Sequence, residues 1–154
     1  MTLGNLLQNT MRFNNELKSG RLIRDIIVEN EALIIDMNAE DQLFEHGLTS
    51  TGVSIASYAP YQPATIEIKR QKGQPTNRVT LRDTGEFEEA FYVEATDDQF
   101  TISSHDEKTD DLVYKYGKEI FGLTAENKNE LIHEYIYPSL LETLKKTIYG
   151  KSTN

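Results

Sequence analysis

The chain has 154 residues, 38% of them hydrophobic, with a mean hydropathy of -0.54 and no cysteine. One ordinary domain with a modest core fits that length, and disulfides and thiolate metal sites are excluded. The formal charge is -9, from 25 acidic and 16 basic residues, which argues against general nucleic-acid binding. The charge is unevenly placed. Between Ile66 and Arg82, Glu67 is set against Lys69, Arg70, Lys72, Arg78 and Arg82, whereas Asp83 to Asp111 carries eleven acidic residues against Lys108 alone.

The first third reads as a long helix. Leu3, Leu6, Leu7, Met11 and Leu17, then Leu22, Ile23, Ile26, Ile27, Asn30, Leu33, Ile34 and Met37, keep a three-four spacing. Ser19-Gly20 between them is a break or a weak point. The start of the chain lacks the basic residues and long apolar run of a secretory signal, and no apolar stretch reaches membrane-spanning length. The expectation is a protein made and kept in the cytoplasm, with no membrane partner.

In the middle, Val53–Tyr58 and Thr65–Lys69 alternate like short strands. The polar run from Lys69 to Arg78, with Gly73 and Pro75, reads as an exposed loop or hairpin arm. Phe91–Ala95 and Phe100–Ser104, joined by Thr96-Asp-Asp-Gln99, form the best hairpin. The last element starts after Thr124, a good N-cap, and runs to Gly150 with a kink at Pro138. The fold class is therefore α+β: a long N-terminal helix (1–42), a β-rich middle (43–123) with a small antiparallel sheet, and a C-terminal helix (124–150), in a single domain over 1–154.

Few residues suggest catalysis. Asp83-Thr84-Gly85 has the Asp-Thr-Gly form of aspartic proteases, in which two such loops face each other and share a proton. Here Arg82 precedes the aspartate and Glu86, Glu88 and Glu89 follow, so a turn is the better reading and a dimeric protease a remote one. His46, His105 and His133 have no partner at metal-ligand spacing, and the acidic run around His105 lacks the order of a calcium loop. Phosphate loops and a nucleophile elbow are missing as well. The expectation is a non-enzymatic protein with no cofactor.

Three segments, in their order, resemble the tail-completion and virion-morphogenesis proteins of tailed phages: Thr65-x-x-x-Lys69, Leu81-x-Asp-Thr-Gly-x-Phe87, and Phe121-Gly-Leu-Thr124 at a helix start. The resemblance covers roughly residues 43 to 148. It implies a ring-forming structural protein of the phage neck or head–tail connector, with portal or adaptor and tail proteins as partners. It also implies residence in the virion after assembly in the host cytoplasm. The charge pattern suits head-to-tail contact between subunits. The basic arm, with Lys69, Arg70, Lys72 and Arg78, is expected to meet an acidic face that includes Asp83, Glu88 and Glu89 beside Thr84 and Gly85. Non-specific DNA contact in the ring lumen ranks below protein contact for that arm. A bacterial cytoplasmic interaction module is the alternative of another class.

Overall fold

The computed structural model describes residues 1–150, and the fold is α+β: many helices with one two-stranded antiparallel sheet. The chain divides into two compact units. One comprises 1–31, 94–100 and 129 onward, and the other comprises 32–93 and 101–128.

In the first unit, α1 (Leu3–Lys18) starts at Thr2, whose hydroxyl accepts from the Asn5 N–H at 3.2 Å. Its half-buried positions Leu6, Asn9, Phe13 and Glu16 recur at three-four spacing and mark the inward face. Leu3, Leu7 and Met11 lie on another face and are 86%, 61% and 57% exposed. α1 ends at Gly20, which takes φ +76 and donates to the Leu17 carbonyl. α2 (Arg21–Glu29) then buries Ile26 and Ile27. Gly20 lies against the hairpin tip: a Cβ there would sit 1.8 Å from the Asp97 carbonyl oxygen. Arg24 Nη1 donates to Asp97 Oδ1 at 2.8 Å beside it. The expected weak point at Ser19-Gly20 is thus an obligatory break.

In the second unit, α3 (Glu31–Asp36, of which 32–36 belong here) opens into a π-helix, Met37–His46, that buries Met37, Asn38, Ala39, Gln42 and Leu43. α4 (Pro63–Gln71) follows a loop that carries the short 3₁₀ turn Ile55–Ser57, then comes the four-residue α5 (Glu86–Glu89). β1 (Phe91–Ala95) and β2 (Phe100–Ser104) pair as the hairpin expected from the sequence. α6 (Thr109–Tyr116) leads to the Lys118–Ile120 turn. Phe87, Phe91 and Phe121 form an aromatic triangle with centroids 5.0, 5.3 and 5.9 Å apart, two of the pairs edge-to-face.

The closing helix begins at Thr124, whose hydroxyl accepts from the Asn127 N–H at 3.2 Å. α7 (Ala125–Glu130) continues through a π-helical turn, Leu131–Ile136, into α8 (Tyr137–Tyr149). The π turn lies just before Pro138, which has no N–H to give to the preceding turn. Pro138 thus stands in the first turn of α8, directly after that π-helical turn.

Three expectations for the middle segment are corrected. Thr65–Lys69 is helical. Pro63 stands in the first turn, where its missing N–H costs nothing, and the helix turns Lys69 inward while leaving Ile68 52% exposed. A strand would have placed Ile66 and Ile68 on one face. Val53–Tyr58 makes only an isolated bridge, Leu48 with Ser54, before the 3₁₀ turn; only Ile55 of this run is buried, and Val53 is 46% exposed. The middle is therefore helix and loop around one hairpin. Finally, the Lys69–Arg78 segment is only in part the exposed loop expected: it starts inside α4 with Lys69 only 7% exposed, and from Lys72 onward it is a loop, exposed at Lys72, Gly73 and Asn77.

Candidate functional site

The candidate site is built on the turn from Leu81 to Gly85 in the second unit. Leu81 has φ +60 and is the one non-glycine residue with positive φ among the described residues. A bulky side chain there is unfavourable, so the surroundings must hold the turn. They do so from α4 and the loop after it. Lys69 Nζ donates to the Arg82 carbonyl at 2.7 Å and to Gln74 Oε1 at 3.1 Å, with the Tyr61 ring 5.0 Å away. Gln74 Nε2 donates to the Asp83 carbonyl at 2.7 Å, and Lys72 Nζ donates to Asp83 Oδ1 at 2.5 Å. The change of charge sign at Arg82-Asp83 is thus resolved within the chain.

Arg82 turns the other way. Its guanidinium lies over the Phe44 ring at 4.2 Å and donates to both carboxylate oxygens of Glu40. Its Nε stands 3.6 Å from Glu88 Oε1, beyond hydrogen-bond reach. Both Glu88 oxygens and Arg82 Nε are buried without a hydrogen-bond partner, and the Glu88 side chain is 5% exposed. Burial raises the Glu88 carboxyl above its ordinary range, only partly opposed by its backbone N–H and by Arg82. The Glu40 pairing holds Arg82 still more firmly protonated.

These shifts set a pH dependence. The folded state holds the Glu88 proton more tightly than the unfolded state. Ionising Glu88 therefore penalises folding above the ordinary carboxyl value of 4.5, and the penalty fades below it. Glu88→Gln is expected to melt higher than the native chain at neutral pH, with the difference closing as the pH falls through that range. Thermal melts across pH, read by circular dichroism, check this. Asp83 works in the opposite sense: Lys72 holds its carboxyl below the usual range, so its contribution exists at neutral pH and is lost on acidification. Its side chain is 62% exposed, which keeps the effect small.

The residues singled out in the sequence separate into groups. Lys69, Lys72 and Asp83 come together. Arg70 points outward, 65% exposed, and pairs with Glu67 at 2.6 Å. Arg78 donates to the Phe44 carbonyl at 2.6 Å and is not part of a free arm. Thr84 donates to Glu86 Oε2 at 3.1 Å, and Gly85, at φ +97, starts α5. Glu88 points in and Glu89 is exposed, so the acidic face expected from both is split. An exposed Asp83 lowered by a lysine is the reverse of the dry carboxyl pair that shares a proton. His46 Nδ1 lies 2.8 Å from the Asp41 carbonyl, His105 stacks on Tyr92 at 4.0 Å, and His133 sits in the π turn before Pro138.

No protein family, curated protein or solved structure matches the chain. Among the described residues, no helix is long and apolar enough to cross a membrane, and no group of three His, Asp or Glu could hold a metal ion.

A second polar cluster, not singled out in the sequence, fastens the same unit. Asn38 donates to the Ile120 carbonyl at 3.0 Å and accepts from the Gly122 N–H at 3.2 Å. Gln42 donates to the Gly122 carbonyl at 2.9 Å and accepts from the Thr124 N–H at 2.7 Å. Two side-chain amides, four residues apart, thereby pair with loop backbone much as a neighbouring strand would. Asn127 completes the cluster by donating toward the Met37 carbonyl, Asp41 Oδ2 and Gln42 Oε1 at 2.9–3.2 Å. The signal in the sequence was an amide pair at i and i+4, flanked by Met37, Ala39 and Leu43.

Proposed function

We propose that this chain is a structural protein of a tailed-phage particle, forming a ring in the neck or head–tail connector between portal or adaptor and tail. One observation supports the reading above the others. The three segments that carry the resemblance, far apart in sequence, meet inside one packed unit. Lys69 holds the Arg82 carbonyl, Phe87 packs near Phe121 at 5.9 Å, and Gly122 and Thr124 are clamped by Asn38 and Gln42. In this reading their residues set shape, and their partners are copies of the chain and the neighbouring virion layers. The exposed stripe Leu3, Leu7 and Met11 on α1 is the kind of surface that a neighbouring subunit covers.

The basic contact to test narrows to Arg70. Lys69 is buried and Lys72 closes the Asp83 turn, so reversing either would disturb the fold before it reported on assembly. Negative-stain images and mass photometry of the purified chain should show closed rings. Arg70→Glu should reduce them while leaving circular dichroism unchanged. A native chain that stays monomeric at every concentration would overturn the ring. Normal rings from Arg70→Glu would overturn the basic contact alone.

A further inference from the structure

The helices α1 and α8 pack together in the first unit, yet neither contains a buried residue. Even the inward side of α1, with Leu6, Asn9, Phe13 and Glu16, is only half-buried. A helix of this length is normally stabilised by an apolar face that a core covers. This helical layer lacks a core of its own, and α1 carries spare apolar surface on its other side. Leu3, Leu7 and Met11, each four residues from the next, are 86%, 61% and 57% exposed. Gly4, Asn14 and Asn15 complete that face without a charge, and no charged residue precedes Arg12. Gly4 is a further sign. A glycine weakens a helix, and a Cβ here would meet only the Thr2 hydroxyl at 3.7 Å, so nothing within the chain demands one. It leaves room for another backbone to come close.

We propose that this face of α1 pairs with the same face of a second copy of the chain. The two helices run antiparallel about a two-fold axis near Leu7, with Leu3 of each copy against Met11 of the other. Charge selects this occupant. An uncharged face offers nothing to a strongly basic or acidic partner, whereas its own copy is equally neutral. Two chains of formal charge -9 approach most easily along such a seam, and a two-fold contact makes it complementary to itself. A lipid surface is disfavoured, because an anionic membrane calls for cations beside the apolar stripe. In α1 only Arg12 and Lys18 are basic, and Arg12 is paired with Glu16 at 3.1 Å. Three apolar side chains per copy cover less than the roughly 800 Å² per partner of a standard interface, so the pairing is weak and follows concentration. The inference rests on the ring reading only in its premise that copies of the chain meet. Its contact is separate from the one at Arg70.

Sedimentation equilibrium of the intact chain, native and Arg70→Glu, should show dimers whose fraction rises with concentration. Leu7→Glu should weaken the pairing about a hundredfold, since the charge enters the seam twice. Its circular dichroism when dilute should match that of the native chain, because Leu7 is exposed in the single copy. The chain has no cysteine, so an introduced one reports without background. Leu7→Cys should oxidise to a covalent dimer, and Asn5→Cys, exposed on the flank of the same helix, should not. Monomer at every concentration, dimers undiminished by Leu7→Glu, or equal cross-linking of Asn5→Cys would each overturn the proposal. So would flotation of a monomeric chain with phosphatidylglycerol vesicles that Leu7→Glu abolishes. Rings that persist in Leu7→Glu, with no cross-link from Leu7→Cys, would remove this contact and leave the ring. A native chain that stops at the cross-linked dimer would keep this contact and remove the ring.

Discussion

Replacing Gly20 with alanine is expected to destabilise the chain by about 3–5 kcal/mol, among the largest effects of any single methyl group. Two costs add. The backbone there is left-handed, at φ +76, which costs an L side chain about 1 kcal/mol. The new Cβ would also stand 1.8 Å from the Asp97 carbonyl oxygen, 2.7 Å from its carbon and 3.1 Å from its Cα. Those are backbone atoms, which cannot swing aside as the end of a side chain can. The hairpin tip must move, and the Arg24–Asp97 pair at 2.8 Å goes with it. Gly52 is the control. It has nearly the same φ, +77, but a Cβ there meets nothing within 4 Å, so Gly52→Ala should cost only the conformational term of about 1 kcal/mol. Urea denaturation of both variants separates the terms. Equal midpoints would show that the close approach to Asp97 is unimportant.

Gln42 should be nearly as sensitive. Gln42→Ala strands the Gly122 carbonyl and the Thr124 N–H, each costing about 1–3 kcal/mol, and leaves a void in a site where Gln42 is only 1% exposed. A total of about 4 kcal/mol is expected. Gln42→Glu is the more instructive change. A carboxylate can still accept from Thr124 and Asn127 but cannot donate to Gly122, and it stands beside the Asp41 carboxylate that shares Asn127. Its loss at neutral pH should approach that of alanine, then shrink on acidification as a protonated glutamic acid regains a donor. Thermal melts against pH and amide exchange at Thr124 check both points. A Gln42→Glu variant as stable as the native chain at neutral pH would dismiss the clamp.

Much of the fold could be read from local patterns. The hairpin was legible because two β-prone runs flank Thr96–Gln99, whose Thr96 hydroxyl accepts from the Gln99 N–H at 3.3 Å. The closing helix was legible from Thr124 and Pro138, since caps and prolines act within one turn. Thr65–Lys69 reads as a strand because alternation over five residues fits either period, and the deciding residue, Pro63, lies just outside it. The site was only half legible. The sign change at Arg82-Asp83 marks the right turn, and within the chain Lys72 pairs with Asp83 there. Lys69 and Lys72 meet the turn from α4 and its C-cap, a helix that the alternation of Thr65–Lys69 does not announce. Glu40 and Phe44, which hold Arg82, are some forty residues away, and no local spacing announces them. The π-helix from Met37 to His46 was hidden for a similar reason: it is justified by what Asn38 and Gln42 reach on a distant loop.

That distance bears on how the chain folds. The amide clamp joins residues separated by 80 to 90 positions, whereas α1, the hairpin and α6 close over short stretches. Long closures carry a larger entropy cost before any contact repays them. The clamp should therefore be absent from the rate-limiting barrier, and the Gln42 variants should show it in a chevron plot. Their refolding limb should overlay that of the native chain, and the whole loss should appear as faster unfolding. The clamp would then act as a latch on the lifetime of the folded unit, adding nothing to the speed with which it forms.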